Sequence, residues 1–253
     1  VIPPVNTSEV SCLNVKAVYD YVRRKTPEKV ERLFENLPGQ YADLPNPAEE
    51  LTDENNWVSS ELIEQMFKNA KQLLGDPEAP YHIGFESITE RNFGYIQKFF
   101  ISTFGSPMGV LKRINQVNSQ FNATKIVETI YGSPSRAVVR LHWKEHRYTC
   151  SDVCRYNRGI YAAIPTVFGL PPSTIEEPFC YFEGDPYCQF NIRFYLRHKP
   201  LKRLIDFFHT RKSQLLSALE QIGADKMRLK RKYDEVNMVN LERAGKREKL
   251  KAI

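Results

Sequence analysis

Apolar residues recur at helical spacing through the first 120 positions. The stretch TPEKVERLFENL predicts a helix with Thr26 as its N-cap and Pro27 at its first position. The stretch WVSSELIEQMFKNAKQLLGD predicts a second helix, capped by Ser59 and ended by Gly75. Two further helices are predicted over TERNFGYIQKFFISTFG and SPMGVLKRINQVNSQF. The polar, proline-bearing residues 38–56 are predicted to form a surface loop.

The pattern changes to the strand period after residue 123. The stretches TKIVETIY and RAVVRLHWKE are rich in β-branched residues and flank the turn-like GSPS, which predicts a hairpin. A second hairpin is predicted over STIEEPFCYF and PYCQFNIRFYL, with EGD at its turn. Between the hairpins lies a predicted helix that starts at Ser151 and has Pro165 in its last turn. This order of elements predicts an α+β fold, in which a four-stranded antiparallel sheet packs against helices.

Residues 199–253 follow a seven-residue repeat. Alternating steps of four and three from Leu201 reach fifteen positions, ten of which are apolar, so a long coiled-coil helix is predicted. Such a helix needs a partner; a parallel homodimer is the simplest, and folding back onto its own domain is the alternative. The predicted organisation is an N-terminal helical segment (1–80), a zinc-containing ligand-binding sensor domain (81–198) and a helical signalling linker (199–253). We expect an output domain to follow the linker.

The net charge of +6 is unevenly distributed. Residues 199–253 hold 15 Lys/Arg against 7 Asp/Glu, whereas the rest of the chain is close to neutral. Because acidic residues interrupt the basic ones, a solvated helix face is favoured over nucleic-acid binding. The sequence has no apolar run of about 18 residues that would span a membrane. Its start, VIPPVNTSEV, lacks the features of a signal peptide, so we expect a cytoplasmic protein.

Four of the five cysteines lie close together in the sequence. Cys180 and Cys188 flank the turn of the second hairpin, Glu177 precedes it, and Cys154 lies on the helix that must pack on the sheet. Three thiolates and one carboxylate suit a closed, structural zinc site, with Cys150 as an alternative to Glu177. Spacing alone also leaves open a Cys180–Cys188 disulfide and buried free thiols.

Eight residues of this stretch match a known family pattern in register and without a gap. They are Cys154, Gly159, Phe168, Glu177, Cys180, Gly184, Asp185 and Cys188. The stretch thereby resembles the vinyl-4-reductase domain, found in the sensory domains of phenol- and xylene-responsive bacterial transcription activators. The resemblance implies that Cys154, Glu177, Cys180 and Cys188 bind Zn²⁺. It also implies a fold shared with nitric-oxide-signalling proteins and with Golgi transport-particle subunits.

The resemblance further implies a sensory domain of a cytosolic bacterial signal-transduction protein. In the aromatic-responsive members, a small molecule between helices and sheet releases the attached output domain, so we expect a small hydrophobic or aromatic ligand. Adjacent strand residues point to opposite faces, so at most one of His142 and Trp143 faces a given pocket. The full set of candidate pocket residues, each of which could instead belong to the core, is Tyr95, Phe99, Phe100, His142, Trp143, Tyr161 and Phe168.

Other functions stay open at this point. The sequence lacks a dinucleotide fingerprint, a P-loop and a nucleophile elbow. A zinc ion with four protein ligands has no free position for a substrate. We therefore expect that the sensory region is not an enzyme, and a reductase-associated activity is the minor alternative. The main alternative is a scaffold or assembly protein of the same fold. A cavity of about 300 Å³ or more would favour the sensor, and a closed interface would favour the scaffold.

Overall fold

The computed structural model describes residues 9–89, 105–144 and 150–195. The N-terminal part begins with strand β1 (Val10–Ser11), helix α1 (Cys12–Lys25) and a 3-10 helix (Pro27–Phe34). It continues through α2 (Gly39–Ala42), α3 (Pro47–Leu51), β2 (Trp57–Val58), α4 (Ser60–Leu74) and α5 (Ala79–Thr89). Strands β1 and β2 pair antiparallel, and the backbone N–H of Ser11 donates to the Phe121 carbonyl oxygen. These contacts join the N-terminal part to residues that precede the main sheet.

Helix α4 agrees with its prediction at both ends. The Ser59 hydroxyl accepts a hydrogen bond from the Leu62 backbone N–H at 3.4 Å. Gly75 ends the helix in the left-handed conformation, with a φ of 63°. Met66 and Phe67 of this helix are fully buried.

Two N-terminal predictions need correction. The helix predicted from Thr26 is a 3-10 helix, and the Thr26 side chain donates to Glu28 Oε1 rather than capping the helix. The predicted surface loop at 38–56 contains α2 and α3, whose Tyr41 and Leu51 are buried in the core. Local polarity and proline content do not reveal that these short turns carry a single anchoring side chain each.

The helix predicted over SPMGVLKRINQVNSQF is divided in two. Helix α6 (Pro107–Lys112) and helix α7 (Ile114–Ser119) meet at Arg113, whose φ of −117° and ψ of 19° depart from helical values. The predicted third helix, TERNFGYIQKFFISTFG, lies almost entirely outside the described residues.

The four-stranded antiparallel sheet confirms the predicted α+β class. Its strands are β3 (Lys125–Gly132), β4 (Arg136–Trp143), β5 (Thr174–Phe179) and β6 (Cys188–Arg193), in the spatial order β3-β4-β6-β5. All three neighbouring pairs are antiparallel. Helix α8 (Asp152–Ala163) lies between β4 and β5 in sequence, and a 3-10 turn (Ile164–Phe168) replaces its last turn at Pro165.

One face of the sheet is buried beneath helices. Val139 and Leu141 of β4 are fully buried, whereas Ile126 of β3, on the opposite face, is 53% exposed. The ring centroid of Tyr161 on α8 lies 5.6 Å from that of Phe190 on β6, so α8 covers the inner face. This arrangement places the first turn of α8 beside the β5–β6 hairpin.

Helices α5 and α8 cross at two glycines. A Cβ added to Gly159 would overlap the Tyr81 carbonyl oxygen, and one added to Gly84 would overlap the Tyr156 carbonyl oxygen. The absence of both side chains lets the two backbones touch. The crossing therefore fixes the position of α8, which carries one of the predicted metal ligands.

One hydrophobic core cluster includes residues on both sides of position 80, from Val10 to Phe194. The division at residue 80 stays a prediction, and the predicted coiled coil at 199–253 lies outside the described residues. Among the helices of the described part, none has the length and apolarity to cross a membrane.

Candidate metal centre and adjoining cavity

The four predicted metal ligands come together in space. The thiol sulfurs of Cys154, Cys180 and Cys188 and a carboxylate oxygen of Glu177 all lie within 4.8 Å of one another. Cys154 lies in the first turn of α8, Glu177 in β5, and Cys188 at the start of β6. The three cysteines are buried and Glu177 is half-buried. A helix and a hairpin that are remote in sequence thus meet at one cluster, the Cys3Glu cluster.

A β-bulge brings Glu177 and Cys180 to the same face. Residues three apart on a regular strand point to opposite faces. Between Glu176 and Phe179, however, β5 carries one residue more than its partner β6. The extra residue reverses the alternation, so Phe179 is 41% exposed while Cys180 is buried. Pro178 lies in this bulge on an edge strand, where its missing N–H breaks no central ladder.

The turn after Cys180 supplies hydrogen bonds to the cluster. The backbone N–H of Cys180 donates to Asp185 Oδ2 at 2.8 Å, and that of Tyr181 donates to Cys188 Sγ at 3.4 Å. Gly184 has a φ of 103°, a conformation that favours glycine in this tight turn. The indole N–H of Trp143 donates to Cys188 Sγ at 3.1 Å. Two N–H groups therefore point at one sulfur, as suits a thiolate ligand.

Two acidic groups of the cluster, the Glu177 carboxyl and the Cys180 thiol, lie close together in a site that is largely shielded from water. Burial, together with the negative charge of Cys180, raises the pKa of Glu177 to about 7. A hydrogen bond from Cys154 lowers the pKa of Cys180 to about 6, while the same contact raises the pKa of Cys154. Glu177 Oε1 is buried without a hydrogen-bond partner among the described residues. A buried carboxylate oxygen with no donor is a free ligand atom.

This donor set can hold a metal ion. Three thiols and one carboxylate are ligands that zinc accepts in tetrahedral sites, where sulfurs lie about 3.8 Å apart if each Zn–S bond is about 2.3 Å. The Cys154 and Cys188 sulfurs are 3.0 Å apart and would have to separate by roughly 0.8 Å. This distance is also well beyond a disulfide bond of about 2.05 Å, and all five cysteines are free. The fit therefore requires only a small outward movement.

Cys150, the alternative ligand, lies apart from the cluster. Its backbone N–H donates to Glu64 Oε1 at 3.0 Å, and its side chain is partly exposed. Burial raises the pKa of the Cys150 thiol to about 11. The geometry thus groups Glu177, and not Cys150, with the three clustered thiols.

Sequence reasoning missed Lys125, the cation beside this cluster. Its side chain is only 6% exposed, and its Nζ lies 5.2 Å from the centre of the Trp143 ring. Burial lowers the pKa of Lys125 to about 7, and the nearby Cys154 and Cys188 oppose that shift. The sequence held an indication of this, because Lys125 lies two positions before Val127 in the predicted strand and residues two apart point to the same face. The sequence thus placed a charged residue at an inward-facing position.

A cavity of about 90 Å³ is lined in part by helix α8 and by Lys125, both of which also neighbour the cluster. Its walls come from α1, α4, α5, the α6–α7 region, α8 and the start of β3. The lining is mainly apolar, with four asparagines and Lys125 as its polar members. The lining residues include Asn14, Asn118, Lys125, Asn157, Ile160 and Tyr161. The volume is smaller than the threshold of about 300 Å³ that would by itself favour the sensor.

The predicted pocket residues are spread over different environments. Tyr161 lines the cavity, whereas Trp143 contacts the Cys3Glu cluster. His142 points to the outer face of the sheet, where its Nε2 lies 2.7 Å from Glu128 Oε1. Phe168 is half-buried against the core at the end of the 3-10 turn. The remaining three, Tyr95, Phe99 and Phe100, lie outside the described residues.

No protein-family model and no curated protein matches the chain. Solved structures of H-NOX proteins do match, at low identity. The Fe(II)NO state of the H-NOX protein from S. oneidensis has a TM-score of 0.58 and 12% identity over 74% of this chain and 99% of that chain. Unliganded Fe(II) H-NOX from K. algicida has a TM-score of 0.53 and 11% identity over 75% and 98%. A third structure, from work on haem distortion in the H-NOX family, has a TM-score of 0.50 and 14% identity over 75% of this chain and 98% of that chain.

These similarities define the fold of the described chain. The described part of the chain has the same α+β fold as these H-NOX proteins. Membership of the vinyl-4-reductase domain family is not shown by any of these matches and stays a prediction.

Proposed function

We propose that this chain is the small-molecule-sensing region of a signal-transduction protein. The observation that carries the proposal is the double role of helix α8. This helix contributes Cys154 to the Cys3Glu cluster, and its neighbouring face, with Ile160 and Tyr161, forms a wall of the cavity. A molecule in the cavity would therefore press on a helix whose first turn is tied to the β5–β6 hairpin.

In this proposal, Cys154, Glu177, Cys180 and Cys188 hold a structural zinc ion. When bound, zinc supplies positive charge that makes it favourable for the three thiols and the carboxyl to be deprotonated together. The four protein ligands fill a tetrahedral shell, so the site stabilises rather than catalyses. The orphaned Glu177 Oε1 and the N–H groups aimed at Cys188 support this assignment.

The signal would leave through the C-terminal linker. Ligand binding would repack the interface between α8 and the sheet, and residues 199–253, as a dimeric coiled coil, would pass the change to an output domain. We place the protein in the cytosol, where reducing conditions keep closely spaced thiols such as Cys154 and Cys188 free for metal binding. Membership of the vinyl-4-reductase domain family is part of the same proposal, on the eight-residue match.

Haem, the group associated with the H-NOX family, fits the described cavity poorly. Haem iron is held by His, Cys, Met or Tyr side chains, and of these types the described lining contains Tyr156 and Tyr161. Tyr156 donates its hydroxyl to Asn14, and burial raises the pKa of Tyr161, which favours the neutral phenol. A volume of about 90 Å³ also suits a much smaller molecule. The proposal therefore includes no haem.

A scaffold protein of the same fold is the second candidate. The small cavity volume favours it, because a closed helix–sheet interface needs no diffusible ligand. The apolar but partly unfilled interior favours the sensor, because well-packed cores leave few voids larger than a water molecule. A reductase-associated enzyme remains the minor alternative.

The deciding experiment measures what the purified protein carries. Elemental analysis should find one zinc per chain in the wild type and in Glu176→Gln, an exposed neighbour, and much less in Glu177→Gln. Native mass spectrometry should detect a bound small molecule whose mass disappears in Val117→Phe, which fills the cavity from a half-buried wall position. A metal-free wild type would overturn the zinc site. Full zinc with no bound molecule, and none bound from a panel of small organic compounds, would favour the scaffold.

A further inference from the structure

Lys125 is the charged side chain among the described residues that line the cavity. It lies at the start of β3, opposite Trp143 on β4, and both side chains point to the inner face of the sheet. With 6% exposure, its ammonium group has left bulk water almost completely. Moving an ammonium group out of water is costly unless an opposite charge or hydrogen-bond acceptors replace the water.

Within the described part of the chain, no carboxylate forms an ion pair with this ammonium group. It lies over the face of the Trp143 ring, and the negative charges that Cys154 and Cys188 carry as thiolates act on it. A cation over an aromatic ring gains less free energy than burying the charge costs. An anion in the cavity would add a direct partner for the ammonium group.

Three asparagine amide groups of the cavity wall donate hydrogen bonds to backbone carbonyl oxygens. The side-chain N–H groups of Asn14 donate to the Ser11 and Phe121 carbonyl oxygens. Asn118 donates to the Asn122 and Lys125 carbonyl oxygens, and Asn157 to that of Val153. These amides are tied to the backbone and leave Lys125 as the strong donor that a ligand would meet.

We propose that the cavity binds a small organic carboxylate, with its acid group on the Lys125 ammonium and its hydrocarbon part against the apolar walls. The inference rests on the proposed sensing function and narrows its ligand class. The cavity of about 90 Å³ is smaller than an engineered cavity of about 150 Å³ that binds benzene. A short, branched aliphatic acid therefore fits better than an aromatic one.

The test compares acids with their uncharged amides by isothermal titration calorimetry on the zinc-containing chain. Isobutyrate should bind the wild type about 10- to 100-fold more tightly than isobutyramide, because hydrogen bonds to charged groups contribute about 1.5–3 kcal/mol. Benzoate and benzamide serve as the larger pair. Lys125→Met should remove the preference for the acid and leave the amide affinity unchanged. Lys112→Met, at an exposed position, should behave as wild type.

Zinc content is measured in every variant, because Lys125 could instead act only as a counter-charge to the cluster. Equal affinity of the wild type for acid and amide, or no measurable binding of either acid, would overturn the proposal, and this comparison needs no folded variant. Loss of zinc in Lys125→Met without any acid preference in the wild type would assign Lys125 to the metal centre alone. A neutral molecule found in the cavity by native mass spectrometry would refute the carboxylate while leaving the sensing function intact.

Discussion

The indole N–H of Trp143 donates to the sulfur of Cys188 at 3.1 Å, across the junction of strands β4 and β6. The face of the same ring lies 5.2 Å from the Lys125 ammonium. One side chain thus links the candidate metal centre with the charged wall of the cavity. A movement of Cys188 or of Lys125 would therefore shift the Trp143 ring, which contacts both.

Trp143→Phe should weaken metal binding while preserving the aromatic packing. The substitution removes the N–H that orients Cys188, and loss of such a supporting hydrogen bond typically costs about 10- to 100-fold in metal affinity. Competition with a chromogenic chelator measures the change. Trp57→Phe, a conservative change on β2 outside the cluster, is the matched control. Equal affinities for the two variants would show that the N–H···S bond has no part in metal binding.

Deleting Pro178 should preserve metal binding, whereas deleting Pro178 and Phe179 together should abolish it. Removing the one extra residue of the bulge leaves Glu177 and Cys180 two positions apart, which on a regular strand places both on the same face. Removing both residues makes Glu177 and Cys180 adjacent, so they would point to opposite faces. Elemental analysis should find zinc close to the wild-type content in the single deletion and less than one-tenth of it in the double deletion, with strand content by circular dichroism little changed. Stoichiometric zinc in the double deletion would contradict this account of the bulge.

Gly159→Ala should destabilise the protein strongly through the α5–α8 crossing. The added methyl group would overlap the Tyr81 carbonyl oxygen and approach the Phe85 backbone nitrogen at 2.7 Å. Because both neighbours are backbone atoms, relief requires the helices to separate, and we expect a loss of about 3 kcal/mol or more. Urea unfolding measures it. At Gly39 an added Cβ meets nothing within 4 Å, so Gly39→Ala should change stability little. A loss below about 1 kcal/mol at Gly159 would argue against the close crossing.

Lys125 should give the metal-free protein a stability that rises with pH above 7. Burial lowers the pKa of Lys125 to about 7 in the folded state, whereas an unfolded lysine titrates near 10.4. Between these values the unfolded state binds more protons than the folded state, so raising the pH favours folding. Below pH 7, Lys125 is protonated in both states and stability no longer depends on its titration. Unfolding free energies at pH 6.5, 7.5 and 8.5 should show the wild type gaining stability relative to Lys125→Met. A difference independent of pH would mean that Lys125 titrates normally.

Helix caps and strand periods could be predicted because they depend on residues only a few positions apart. Helix α4 begins after Ser59 and ends at Gly75, as predicted. The two hairpins form where β-branched residues flank turn residues. Helix α1 falls within the predicted N-terminal helical segment, although the sequence does not predict its bounds; three of its buried positions are valine, which lowers helix propensity without preventing a packed helix. Tertiary packing overrode the local preference there.

The identity of the four candidate ligands could be predicted, but their convergence could not be derived from spacing. Regular alternation would have separated Glu177 from Cys180, and the bulge that unites them depends on pairing with β6. The predicted pocket residues lie in different environments, since Tyr161 lines the cavity, His142 lies on the outer face and Trp143 contacts the Cys3Glu cluster. Aromatic character alone does not distinguish these three environments.

By itself, the sequence determined the positions of helices α4 and α8 and of the four main strands, and the types of candidate metal-ligating side chain, because these follow from the chemistry and period of adjacent residues. The tertiary structure alone decided that the Cys3Glu cluster closes, that Lys125 is buried beside it, and that α8 contributes both to the cluster and to the wall of a cavity. Those features arise where segments that are separated in the sequence pack against one another and bury the side chains between them. Their energies depend on desolvation and contact, which no local pattern records.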